Sequence, residues 1–70
     1  MIHIGKLIEA EVYKQKIPIS WFAQKLYCDR TNIYKIFNRQ SIDSELLLRI
    51  SRILKYDFFL YYQKELSDRY

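Results

Sequence analysis

The side chains best suited to chemistry lie between residues 19 and 38. The stretch Arg30-Thr31-Asn32-Ile33-Tyr34-Lys35-Ile36-Phe37-Asn38 reads as one amphipathic helix. At about 100° per residue, Ile33, Ile36 and Phe37 share one side. Thr31, Tyr34, Lys35 and Asn38 share the other, with Arg30 and Asn32 at its margins. Hydroxyl, amide, ammonium and guanidinium groups on one face can exchange hydrogen bonds with base edges and meet phosphate oxygens. Taken alone, the same face is equally a solvated helix surface.

Other chemistries find no matching constellation. His3 is the only histidine and has no Cys or carboxylate set at ligand spacing, so no metal site is expected. Cys28 lacks a paired base and reads as a small core hydrophobe rather than a nucleophile. No Gly-rich phosphate loop, Ser/His/Asp set or close acid pair is visible. The expectation is a protein that is not an enzyme and uses no cofactor or small-molecule ligand.

A matched element precedes the polar helix. Ile19-Ser20-Trp21-Phe22-Ala23-Gln24-Lys25-Leu26 forms a second short amphipathic helix, and Tyr27-Cys28-Asp29 joins the two. Phe22, Ala23, Leu26, Cys28, Ile33 and Ile36 form the expected buried set. Ala23 is small enough to let two helices cross closely. Asp29 is placed to cap the second helix. Helix, turn and helix of this kind place a helix in the DNA major groove.

Charge follows the same segment. The chain carries +4 overall, yet residues 14–40 hold Lys14, Lys16, Lys25, Arg30, Lys35 and Arg39 against Asp29 alone. That segment is +5 and the remainder −1, so the excess is a local footprint for phosphate rather than a general solubility device.

Seventy residues allow one domain, 1–70. The apolar half of the composition, with one Gly and one Pro, favours packed helices. A first helix is expected from about His3 to Lys16, with Ile4, Leu7, Ile8 and Val12 in its stripe and Glu11 and Gln15 intruding on it. Ile17-Pro18 ends it. A fourth helix, capped by Asp43 or Ser41, ends near Lys55 and presents Leu47, Ile50, Ile53 and Leu54. Asp57 caps a fifth, about 58–69, with Phe58, Phe59, Tyr62 and Leu66 clustered and Leu60 and Tyr61 pointing away. Five short helices make an all-α domain. One Cys, no long apolar run and no secretion signal make cytoplasmic the default, with no membrane span.

With these elements in place, residues 4 to 60 resemble the lambda-repressor-like (XRE/Cro type) helix-turn-helix family of phage repressors, Cro proteins and small bacterial regulators. Phe22-Ala23, Leu26, Ile33 and Ile36 match its hydrophobic pattern, and Leu47 to Leu54 looks like its fourth helix. The resemblance implies a transcriptional regulator that binds DNA sequence-specifically, usually as a dimer on a palindromic operator. This chain departs from the family in three places. Tyr27 stands where Gly is usual in the turn, and Ile19 where Gln often opens the second helix. Val12 and Phe37 stand where many relatives pair an Arg with a Glu.

The expected base-reading residues are Arg30, Thr31, Tyr34 and Lys35, with Asn32 a weaker candidate. The expected phosphate contacts are Asn38, Arg39 and Gln40, with Lys25 at the motif's edge. Leu60 and Tyr61 are the expected homodimer contacts. The rival reading is a protein-interaction module, antitoxin-like, whose aromatic C-terminal surface binds a partner.

Overall fold

A computed structural model describes residues 1–68 as an all-α domain of five helices. They are α1 (Ile4–Lys14), α2 (Ile19–Lys25), α3 (Arg30–Phe37), α4 (Ser44–Leu54) and α5 (Phe59–Ser67). Arg69, expected at the end of α5, lies outside the described residues. Each of the first four helices sends its apolar stripe to one core. Ile4, Ile8 and Val12 of α1 meet Phe22 and Ala23 of α2 there. Ile33, Ile36 and Phe37 of α3 and Leu47, Ile50 and Leu54 of α4 complete it, with Phe58 below α5. Helix α3 packs mainly on α1 and α2. Val12 and Phe37 are both inside this apolar cluster, where an ion pair would have been costly to bury.

Local chemistry sets the helix starts. His3 caps α1 through Nδ1, which accepts from the Lys6 N–H at 3.2 Å. Asp29 caps α3, accepting from the Asn32 N–H at 2.9 Å. Asp43, not Ser41, caps α4, accepting from the Leu46 N–H at 2.7 Å. Asp57 accepts from the Phe59 N–H at 3.0 Å, although Phe58 stands at the cap position of α5. Gln15 leaves the α1 stripe to bridge elements, donating to the Glu11 carboxylate at 2.7 Å and to the Leu54 carbonyl at 2.9 Å.

Three helices end on a non-glycine residue in the left-handed region: Lys16 (φ 58°), Tyr27 (φ 57°) and Lys55 (φ 53°). After α2, the Tyr27 N–H bonds the Gln24 carbonyl at 3.1 Å and the Cys28 N–H bonds the Ala23 carbonyl at 3.0 Å. That is a Schellman closure, usually built on Gly. A side chain there costs roughly 1–2 kcal/mol. Tyr27 is 90% exposed, so no packing compensates. Tyr27→Gly is therefore expected to raise stability by about 1 kcal/mol, after allowing for the greater freedom of Gly in the unfolded chain. Thermal unfolding checks it: a domain this size gains roughly 4–8 °C per kcal/mol. A variant that melts at or below the parent temperature refutes the strain assignment.

The start of α1 is fastened to the end of α3. The Ile4 N–H donates to the Gln40 carbonyl and the Gly5 N–H to the Arg39 carbonyl, both at 3.0 Å. With His3 taking the Lys6 N–H, three of the otherwise unpaired N–H groups of α1 are satisfied. The two segments approach so closely that a Cβ on Gly5 would sit 2.5 Å from the Phe37 carbonyl oxygen and 2.6 Å from that of Arg39.

The face of α5 differs from expectation. Tyr61 turns inward: its ring stacks on Phe58, with centroids 6.5 Å apart, and its hydroxyl shares a 2.7 Å hydrogen bond with that of Tyr56. That bond first, and burial second, push the Tyr61 phenol up to about 12. Tyr61 is therefore not part of an outward apolar pair with Leu60. Leu60 is 53% exposed, and so are Tyr62 and Leu66, at 36% and 57%. Phe59 is half-buried at the foot of the Tyr62/Leu66 side. Cys28 also differs: it is half-buried against the core rather than within it.

Candidate nucleic-acid interface

The outer face of α3 is built by what holds its inner face. Asp29 fixes the first turn, and Ile33, Ile36 and Phe37 anchor the helix against α1 and α2. Arg30, Thr31, Asn32, Tyr34, Lys35 and Asn38 are all exposed. Asn38 ends the helix, and the chain turns there with the Arg39 N–H on the Ile36 carbonyl at 3.0 Å.

Two halves of this face have different neighbours. On one side, Tyr34 stands edge-on to Phe37, centroids 6.1 Å apart at 81°, and Tyr13 of α1 leans on the same ring at 6.4 Å. Tyr34 is thus braced from behind, while 48% of its surface remains open. Arg30 falls on this side of the helical wheel. On the other side, Asn32, Lys35 and Arg39 border a groove of about 340 Å³ between α3 and α4. Leu26, Cys28, Ile36 and Leu46 form its apolar floor. Burial, and then the Asp29 charge, raise the Cys28 thiol above its usual range, against the opposing pull of Arg49.

The expected phosphate set is only partly brought together. Asn38 and Arg39 follow α3 as expected. Gln40 instead directs its side-chain amide to the Met1 sulfur and borders a separate hollow with Tyr62 and Glu65, away from the groove that Arg39 lines. Lys25 is on the outer surface of α2, its Nζ 5.4 Å from the centre of the Trp21 ring. Trp21 is partly exposed there rather than a core residue.

Arg49 escaped the sequence reading. From α4 it donates to the Leu26 carbonyl at 3.0 Å, closing the end of α2 just before the turn into α3. Its target is a backbone carbonyl 23 positions away, which leaves no motif in the sequence.

Among the described residues, no group of His, Cys, Asp and Glu is placed to hold a metal ion, and no helix is long and apolar enough to cross a membrane. No protein-family model, curated protein or solved structure matches the chain.

Proposed function

We propose that this protein is a sequence-specific DNA-binding transcriptional regulator of the phage-repressor or Cro type, working in the cytoplasm by occupying an operator rather than by catalysis. The observation that carries this reading is α3 itself. One face is locked by α1 and α2, and the other offers Arg30, Thr31, Asn32, Tyr34 and Lys35 to a partner. A helix this short, fixed behind and polar in front, suits the major groove. The +5 charge of residues 14–40 suits the flanking phosphates.

The test is the salt dependence of binding to duplex DNA. Counterion release makes log K fall linearly with log salt, by about 0.9 for each phosphate neutralised. Arg39, next to the end of α3, is the leading phosphate contact. Arg39→Ala is expected to weaken all sequences alike and to lower the slope by about one unit. An unchanged slope removes Arg39 from the contact set, and no measurable salt-dependent binding removes the reading as a whole.

One helix reads only a few base pairs, so the operator complex is proposed to be a two-fold dimer, its reading helices about 34–36 Å apart. Its contact is placed on α5. With Tyr61 turned inward, Tyr62 and Leu66 replace the pair of Leu60 and Tyr61 as the proposed apolar contact, and Leu60, exposed about 160° round the helix from Tyr62, falls outside it. Tyr62→Glu with Leu66→Glu is expected to leave a monomer in sedimentation of the operator complex. A dimer that persists in this variant would place the interface elsewhere. The same exposed stripe is what favours the second reading, a protein-interaction module.

A further inference from the structure

We propose that the groove between α3 and α4 docks an acidic segment of a partner protein, which inserts one apolar side chain and thereby covers the Asn32 and Lys35 side of the reading face. The proposal goes beyond DNA reading and stands without it, although both would use Lys35 and Arg39.

The first observation is the floor. Leu26, Cys28, Ile36 and Leu46 present carbon and sulfur to a space of about 340 Å³ that is open to solvent. Phosphate contact has no use for such a floor, and a base edge offers it at most a thymine methyl. The volume is at the low end of ligand sites, roughly 300–1,000 Å³. An open groove of that size suits one leucine or phenylalanine presented by an amphipathic helix, not an enclosed small molecule.

The second observation is the rim. Lys35 and Arg39 border the groove together with Asn32, and none of the described residues that line it is acidic. Among the described residues the sole ion pair is Lys6 with Glu9, on α1, so neither rim cation is paired with a carboxylate of those residues. Charge complementarity therefore selects an acidic partner with carboxylates on either side of its apolar anchor. Lys35 projects from α3, and Arg39 follows its last turn one helical turn further on. A partner helix carrying two carboxylates three or four positions apart, one before and one after the anchor, matches that spacing. Such a partner would compete with DNA for the same two cations.

The experiment is a selection of random displayed peptides on the full chain, counter-selected on Leu46→Lys. Amide shifts of the isotope-labelled protein are then recorded with the enriched peptides. The expected consensus is one large apolar residue flanked by Glu or Asp. Shifts should centre on Asn32, Lys35, Ile36 and Arg39, and replacing the anchor by Ala should weaken binding by at least about tenfold. Alkylating Cys28 with N-ethylmaleimide, on protein shown by circular dichroism to remain folded, should block binding without touching the rim charges. Arg30→Ala should leave peptide affinity unchanged while reducing DNA affinity. That separates a failure of this proposal from a failure of DNA reading. A consensus without an anchor, anchor-independent binding, shifts confined to α5, or no enrichment over Leu46→Lys would each overturn it.

Discussion

Gly5→Ala is expected to destabilise the domain by about 3 kcal/mol or more. In an ordinary helix the same change gains about 1 kcal/mol from propensity. Here the added carbon would press on the carbonyl oxygens of Ile36, Phe37 and Arg39. Those are backbone atoms at the end of α3, and they cannot rotate aside as a side chain would. Relief requires α1 to lift away. That stretches the bonds from Ile4 to Gln40 and from Gly5 to Arg39, each contributing about 1 kcal/mol net. Overpacking itself costs roughly 1–3 kcal/mol. A domain of this length holds only about 4–10 kcal/mol in total. The midpoint of thermal unfolding should fall by more than about 12 °C. Because α1 braces α3, DNA binding should fall with the folded fraction. A Gly5→Ala protein as stable as the parent would contradict the close seating of α1 on α3.

Arg30→Ala and Lys35→Ala should each cost about 1–3 kcal/mol in binding to a selected operator, with preference relaxed at one base pair apiece. Both residues are exposed and lie on α3, Arg30 on the same side as Tyr34 and Lys35 at the edge of the groove. Arg or Lys at such positions favours guanine, whose O6 and N7 accept two hydrogen bonds. Stability should stay within about 0.5 kcal/mol, as expected of surface positions outside caps and core. Affinity measured by fluorescence anisotropy on the selected duplex and its point variants checks both. If each variant binds and discriminates like the parent, the base-reading assignment of Arg30 and Lys35 is wrong.

Most of the core was legible because its signals are local. The stripes of α1 and α4 and the caps at Asp29 and Asp43 lie within a few residues of what they determine. Tyr27 was legible as an anomaly, since a turn built for Gly carries a side chain. The phase of α5 was not legible. Phe58-Phe59-Leu60-Tyr61-Tyr62 is apolar or aromatic at every position, so the sequence has no polar face to mark outside from inside. What orients it is Tyr56, which precedes the helix and captures the Tyr61 hydroxyl. Gly5 carried no turn signature because its reason is a segment distant in sequence, the end of α3. Gln40 read as a polar loop residue free to meet phosphate, but the fold brings the Met1 sulfur to its amide.

Selection from a pool of random duplexes tests the central claim most directly. The protein is incubated with the pool near physiological salt, and bound DNA is recovered and sequenced over successive rounds. Convergence on one site is expected, bound at least about 10³-fold more tightly than scrambled duplex. The Arg30→Ala, Lys35→Ala double variant should fail to converge on that site while remaining folded. A pool that shows no enriched sequence, or a double variant that enriches the same site as the parent, would contradict the assignment of α3 as a DNA-reading helix.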